Sequence, residues 1–186
     1  MGFYLTDLND RLAERLKQVR TEQGWSLQDL AERSGVSRST LSRIENGEVS
    51  PTAETLGGLS AAYHMTISQL LAPVEAPFQA LVRKDEQSEW HDPENGFRRR
   101  VVSPPGGALS AEVIRCELTP YQIIAYAGPS KPGHEHHLVM LEGALTVTIG
   151  DVTHELSAGD CLRYQLYGSS RFQTSVDGAS YILVLL

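Results

Sequence analysis

The stretch from Gly24 to Pro51 constrains the fold of this chain more than any other. Two short helical patterns meet there at a single glycine. Ser26 precedes Leu27-Gln28-Asp29-Leu30-Ala31, and Asp29 at the third helical position completes a capping-box arrangement. Gly35 supplies the positive φ that a tight turn between helices needs. Ser37 caps a second helix, Arg38 to Glu45, which Asn46-Gly47 ends. Ala31 is small where the two helices cross, and Val36 plugs the corner. Leu41 and Ile44 turn inward, which leaves Arg38, Ser39, Ser42 and Arg43 turned outward. A helix faced in this way fits the major groove of a DNA duplex, where an arginine can donate two hydrogen bonds to guanine.

Helical spacing continues on both sides of this unit. Leu12, Leu16 and Val19 recur on one face, so a first helix is expected from Thr6 or Asp7 to Glu22, with Gly24 closing it. Pro51 is expected to open a fourth helix running to Tyr63, and Thr66 or Ser68 to start a short fifth. The core of these five helices is expected to hold Leu12, Leu16, Val19, Leu27, Leu30, Ala31, Val36, Leu41, Ile44, Leu56, Leu59, Ala62, Ile67 and Leu70.

Charge alone does not suggest a nucleic-acid partner. The net charge is −7, and residues 1–72 carry seven Lys/Arg against nine Asp/Glu. Any DNA contact must therefore arise from how charges are placed on one face. The chain has no apolar run of membrane-spanning length, and its first residues lack the basic start and apolar core of a secretion signal. A cytoplasmic protein is expected. The two cysteines, Cys116 and Cys161, are far apart and lack metal-like spacing, so two half-buried, unpaired thiols in a reducing compartment are expected.

With 186 residues the chain has room for two small domains. Ala72-Pro73-Val74-Glu75-Ala76-Pro77 places two prolines in a non-helical connector. The expected division is a helical domain over 1–72, a linker over 73–80 and a second domain over 81–186. In that second domain short β-rich runs replace the helical spacing: Phe97 to Val102, Ala111 to Leu118, Leu138 to Leu141, Leu145 to Ile149 and Tyr181 to Leu186. Gly143, Gly150 and Gly159-Asp160 are expected to punctuate short alternating strands of a small antiparallel barrel or sandwich.

The pattern G-W-S-L-x-x-L-A-x-x-x-G-V-S-x-x-x-L-S-x-I-E-x-G-x-x-x-P, standing here from Gly24 to Pro51, resembles the DNA-binding domain of lambda-repressor-like (xenobiotic-response-element) regulators. The likeness runs from Leu8 to Leu71 and implies a five-helix domain. Carried over by position, it implies that Arg38, Ser39 and Arg43 read bases, with Ser37 and Thr40 beside them and Ser42 contacting base or phosphate. Ser26, Gln28 and Asn46 correspond to phosphate-contacting places. Leu27 departs from the pattern, since many relatives carry a backbone-contacting glutamine there.

Lys131 to Thr174 resembles a second family, the cupins, through Val139-Met140-Leu141-Glu142-Gly143 and Leu156-Ser157-Ala158-Gly159-Asp160. That likeness implies an antiparallel double-stranded β-barrel after the helical domain, and hence a multidomain α + β chain. A cupin metal site usually takes two histidines and a glutamate from the first motif and a third histidine from the second. Counted back from Gly143, the glutamate place falls on His136 and the paired histidines on Ser130 and Pro132. If His134 and His136 are taken as the pair, Met140 occupies the carboxylate place. Ser170 holds the late histidine place in either register. A first-row metal needs three or four ligands at about 2.0–2.3 Å, so no cofactor is expected, His134 and His136 being the pair at which a metal would sit.

Together these readings lead to a homodimeric transcriptional regulator that binds a double-stranded operator and senses a small-molecule effector in its barrel. His134, His136, Met140, Tyr164, Ser170 and Phe172 are the expected ligand-binding positions. Two alternatives stand beside it. One is a metal-dependent enzyme of the type that joins this helical domain to an epoxidase cupin. The other is a protein-interaction module whose barrel serves only to dimerise.

Overall fold

The computed structural model describes residues 3–71, 78–106 and 109–186. Helices come first: α1 (Phe3–Glu22), α2 (Leu27–Ser34), α3 (Arg38–Glu45), α4 (Ala53–Tyr63) and α5 (Ile67–Leu71). Their boundaries follow from capping chemistry. Ser26 Oγ accepts from Asp29 N while the Asp29 carboxylate accepts from Ser26 N, and Gly35 closes α2 at φ 71°. Ser37 Oγ accepts from Thr40 N at the start of α3. Each such cap contributes about 1 kcal/mol. Two starts differ from the sequence reading. α1 begins at Phe3, ahead of Thr6. α4 begins at Ala53 because Thr52, whose Oγ1 accepts from Thr55 N, is the cap, leaving Pro51 outside the helix.

The helical core contains Leu12, Leu16, Val19, Leu30, Leu41, Ile44, Leu56, Leu59 and Leu70, all buried. Leu27, Ala31, Val36, Ala62 and Ile67 pack around it half-buried. Ala53 and Tyr63, which apolar periodicity did not single out, join it.

The second half is antiparallel β throughout: β1 (Glu89–Asp92), β2 (Phe97–Ser103), β3 (Glu112–Leu118), β4 (Ile123–Tyr126), β5 (His134–Ile149), β6 (Val152–Ser157), β7 (Cys161–Leu166) and β8 (Ser170–Leu185). The long strands β5 and β8 pair along nearly their whole length, from His136↔Leu185 to Ile149↔Ser170. Halfway along, both change their outer partners. The first half of β5 pairs with β7 and its second half with β6. The second half of β8 pairs with β3 and its first half with β4. Two sheets thus share two bent strands, the double-stranded arrangement expected. The ladder does not close on itself: its path runs β1-β2-β3-β8-β5-β6, so the expected barrel is an open sandwich.

One expectation is corrected here. Gly143 does not end a short strand, because β5 passes through it. Gly143 lies at φ 76°, at the point where the β5–β8 register shifts between Met140/Glu142 and Gly143/Leu145. A Cβ there would collide with the Gly178 carbonyl. The glycine is a bend inside one strand, not punctuation between two. The thiols also differ from expectation, since Cys116 is buried and Cys161 exposed.

The expected linker, 73–80, lies largely outside the described residues. The junction it spans is nevertheless built in detail. Asp92 Oδ2 on β1 accepts from Ala53 N at the first turn of α4, 2.8 Å away. Arg99 on β2 donates to Ser68 Oγ on α5 at 2.9 Å, and Thr66 Oγ1 donates to Glu112 Oε1 on β3 at 2.6 Å. Asp92, Arg99 and Glu112 are all buried. Gly57 on α4 admits the Tyr126 ring, which any Cβ would strike. α4 and α5 are therefore fixed to the sheet by polar contacts out of reach of water.

Candidate functional site

Two regions carry the candidate residues. The first is the outer face of α2 and α3. Arg38, Ser39, Arg43, Ser26, Gln28, Ser37 and Asn46 are exposed, and Thr40 and Ser42 half-exposed. The inward face of α3 buries Leu41 and Ile44. Side chains i, i+1, i+4 and i+5 thus form one solvent-facing stripe. Several of these residues also have local partners. Ser37 Oγ lies 3.0 Å from Ser39 Oγ and 2.8 Å from Thr40 Oγ1, which ties three hydroxyls to the start of α3. Gln28 donates to Glu32 at 2.9 Å. Arg43 lies 3.6 Å from Glu48, with both side chains more than half exposed (60% and 54%). Such a pair contributes little and is readily exchanged for another anion.

What holds α3 in place was not read from the sequence. Arg20 on α1 donates through Nε and Nη2 to the two Glu45 carboxylate oxygens, each at 2.7 Å, and through Nη1 to the Trp25 carbonyl. The Glu45 carboxylate raises the Arg20 guanidinium above its ordinary value by hydrogen bonding. This two-pronged clamp joins α1, the turn before α2 and the last residue of α3. The partners are 25 residues apart, so no local pattern encodes the pair. Trp25 stacks on Tyr63 at 5.4 Å and carries the Arg33 guanidinium 4.5 Å over its ring, which braces the same corner.

The second region is the interior of the β-domain. His134 and His136 share one face of β5, their rings 5.5 Å apart. His136 Nδ1 lies 3.2 Å from the Tyr164 hydroxyl on β7. Met140 and Phe172 are buried and meet through Tyr181, which pairs with Met140 in the β5–β8 ladder and stacks on Phe172 at 6.3 Å. Ser170 is buried opposite Tyr126. The six positions therefore fall into a His134–His136–Tyr164 group and a Met140–Phe172–Ser170 group. Tyr126, Tyr181, Cys116 and Arg99 line the same interior and were not singled out. For Tyr181 the alternation of Tyr181, Leu183 and Leu185 was an available signal.

Burial lowers the His136 imidazole to about 3, helped by the neighbouring His134 and Arg99. Burial likewise lowers His134, with Lys131 adding to the effect, and pushes the Cys116 thiol up to about 11. His137 points away and meets Glu135 at 2.7 Å. Among the described residues no three His, Cys, Asp or Glu side chains converge as a metal site. The donor set around His134 and His136 offers a tyrosine hydroxyl where a resident metal would want a carboxylate, so the residues present do not fit the cupin metal.

Comparison with known proteins agrees with both halves. Residues 16–70, within α1 to α5, match the family HTH_3, Helix-turn-helix, and the antiparallel β-domain follows that segment. The HTH-type transcriptional regulator SutR of Escherichia coli (strain K12) is 28% identical over 159 residues, covering 82% of this chain and 81% of its own length. Among solved structures, an HTH_3 family transcriptional regulator from Vibrio cholerae superposes with a TM-score of 0.80 at 23% identity, over 97% of each chain. The hydroxypropylphosphonic acid epoxidase of S. wedmorenis gives a TM-score of 0.50 at 19% identity over 96% of this chain and 98% of its own. At that identity the likeness is one of fold alone. No described helix is long and apolar enough to cross a membrane.

Proposed function

We propose that this protein is a sequence-specific DNA-binding transcriptional regulator that works as a homodimer and senses a small molecule through its β-domain. The observation that carries the reading is the exposed α3 stripe of Arg38, Ser39, Ser42 and Arg43 on a helix capped by Ser37 and clamped by Arg20. Such a helix can lie in the major groove with its arginines donating bidentately to guanine. Ser26 and Gln28 at the start of α2, and Asn46 after α3, would meet flanking phosphates, where free helix-terminal N–H groups favour anions. In a dimer, two such helices would read half-sites about 34 Å apart, one turn of the duplex.

We read the β-domain as a binding domain and not a catalytic one. The name of the relative SutR supports this, as does a donor set with Met140 and Ser170 in the places of metal ligands. Ligand contacts are assigned to His134, His136, Met140, Tyr164, Ser170 and Phe172. A gel shift on the gene's own upstream DNA tests the first step. Binding should be sequence-selective and weaken steeply with salt as counterions are released. Equal binding to random duplex would sink it.

A further inference from the structure

A pocket of about 450 Å³ opens between the helical domain and the mouth of the β-domain. Its wall includes Arg15 from α1, His64 and Gln69 from the α4–α5 corner, and Lys131 from the turn before β5, with Met65 and Pro105 as apolar sides. Among the described residues no aspartate or glutamate belongs to that wall. In a chain of net charge −7, a concave site lined by two fixed cations, an imidazole and an amide is a local positive focus. Arg15 Nε is buried with no hydrogen-bond partner among the described residues, although a buried donor is ordinarily satisfied. Glu112, buried on β3, accepts from Thr66 through Oε1 only, and its Oε2 has no partner among the described residues. His64 holds the left-handed position that ends α4, at φ 53°, where glycine would sit with less strain.

We propose that this pocket binds a small oxyanion, a carboxylate- or phosphate-bearing molecule, held by Arg15 and Lys131 from opposite domains. Gln69 donates to the same ligand and His64 closes its rim. Bridging two domains, such a ligand favours the docked arrangement over any in which the helices leave the sheet. Lys131 also leads directly into His134, since His134 N donates to the Lys131 carbonyl at 3.2 Å. The pocket is thus continuous in chain with the β-domain interior. The regulatory consequence rests on the effector-sensing reading above; the binding itself does not.

The test uses the full chain and two probes, inorganic phosphate and citrate, titrated by calorimetry at low salt. Saturable one-to-one binding of at least one probe is expected. Lys131→Gln and Arg15→Gln should each weaken it about tenfold or more, the worth of one charge-assisted hydrogen bond. His64→Gly should weaken it while leaving the thermal midpoint unchanged or raised, because it relieves the backbone. Val152→Ala, exposed on β6 and outside the pocket wall, should leave it unchanged. Absence of saturable binding of both probes, or undiminished binding in Lys131→Gln, overturns the proposal. Operator affinity is measured in parallel. A probe effect on it that disappears in Lys131→Gln supports the regulatory consequence, and no effect overturns that part alone. Probe binding by a chain that binds no DNA would sink the regulator reading and leave the anion site standing.

Discussion

The two faces of the helical domain are built on opposite principles. On the face of α2 and α3, polar side chains are exposed and their partners are local and weak, as in the Arg43–Glu48 pair at 3.6 Å. On the face of α4 and α5, buried polar groups cross to the sheet in three hydrogen bonds: Ala53 N with Asp92, Ser68 with Arg99, Thr66 with Glu112. A free face can exchange its partners for those of a ligand such as a duplex. A matched face transmits position, because pulling it apart leaves each group unsatisfied in low dielectric. The domain is therefore a reading surface on a fixed mount; the Arg20–Glu45 clamp holds α3 to α1 and to the Trp25 carbonyl, and the Trp25–Tyr63 stack carries that corner onto α4.

If that contrast is right, the clamp should cost the most to break. Arg20→Ala leaves the Glu45 carboxylate, only 6% exposed, without its partner. Loss of one member of a fully buried pair costs about 3–5 kcal/mol, which sets the upper bound for this half-buried one. The chain's two tryptophans report on the two regions separately: Trp25 stacks on Tyr63, and Trp90 lies buried beside Phe97 at 6.2 Å. In a urea titration the Trp25 transition should move to much lower denaturant, ahead of the Trp90 transition. Coincident, unmoved transitions would show that the clamp is decorative.

Next in size is a pH effect confined to the β-domain. His136 is neutral in the fold, its value lowered to about 3, while in the unfolded chain it titrates near 6.5. Between those values the unfolded state binds more protons, so stability is intact above about pH 6.5 and falls as pH drops toward 3. The loss attributable to this one group is on the order of 2–4 kcal/mol. His136→Phe should flatten that part of the Trp90 midpoint-against-pH curve. An unchanged slope would mean that other groups carry the acid sensitivity.

How much of this was legible in the sequence follows the same divide. Ser26, Asp29, Gly35 and Ser37 act on neighbours three or four residues away, so their roles were readable from spacing alone. The outward placement of Arg38 and Arg43 followed from the inward placement of Leu41 and Ile44. The clamp and the junction were not readable, because Arg20–Glu45 and Arg99–Ser68 span 25 and 31 residues and only the fold brings them together. Gly143 was misread for a related reason. A glycine that ends a strand and one that bends it look alike until its partner strand, with Gly178 against it, is known. In the β-domain, alternation marked the apolar faces but could not tell that Phe172, Tyr181 and Tyr126 would meet.

A smaller effect is expected at the mount. Asp92→Ala removes the acceptor for Ala53 N and the carboxylate that also accepts from Glu94 N and Asn95 N. Loss of a helix cap costs about 1–2 kcal/mol. Hydrogen exchange should quicken in the first turn of α4 and in β1 while α3 is unaffected. Equal quickening in α3 would mean that the two faces are not separate, and the comparison would fail.

The smallest effect on stability should come from the most consequential positions for binding. Arg38→Ala with Arg43→Ala removes two exposed side chains whose one ion pair among the described residues is a long surface one. Surface changes of this kind stay within about 0.5 kcal/mol, so both tryptophan transitions should superimpose on those of the parent. Operator affinity should nevertheless fall by roughly a hundredfold, since each bidentate arginine–base contact discriminates by about 1–3 kcal/mol. The residual binding should also be less selective, because what remains is contact with the phosphate backbone. Full affinity in this double variant would move the DNA-reading surface elsewhere or replace DNA with a protein partner. Lost affinity with lost stability would mean that the arginines belong to the mount and not to the reading face.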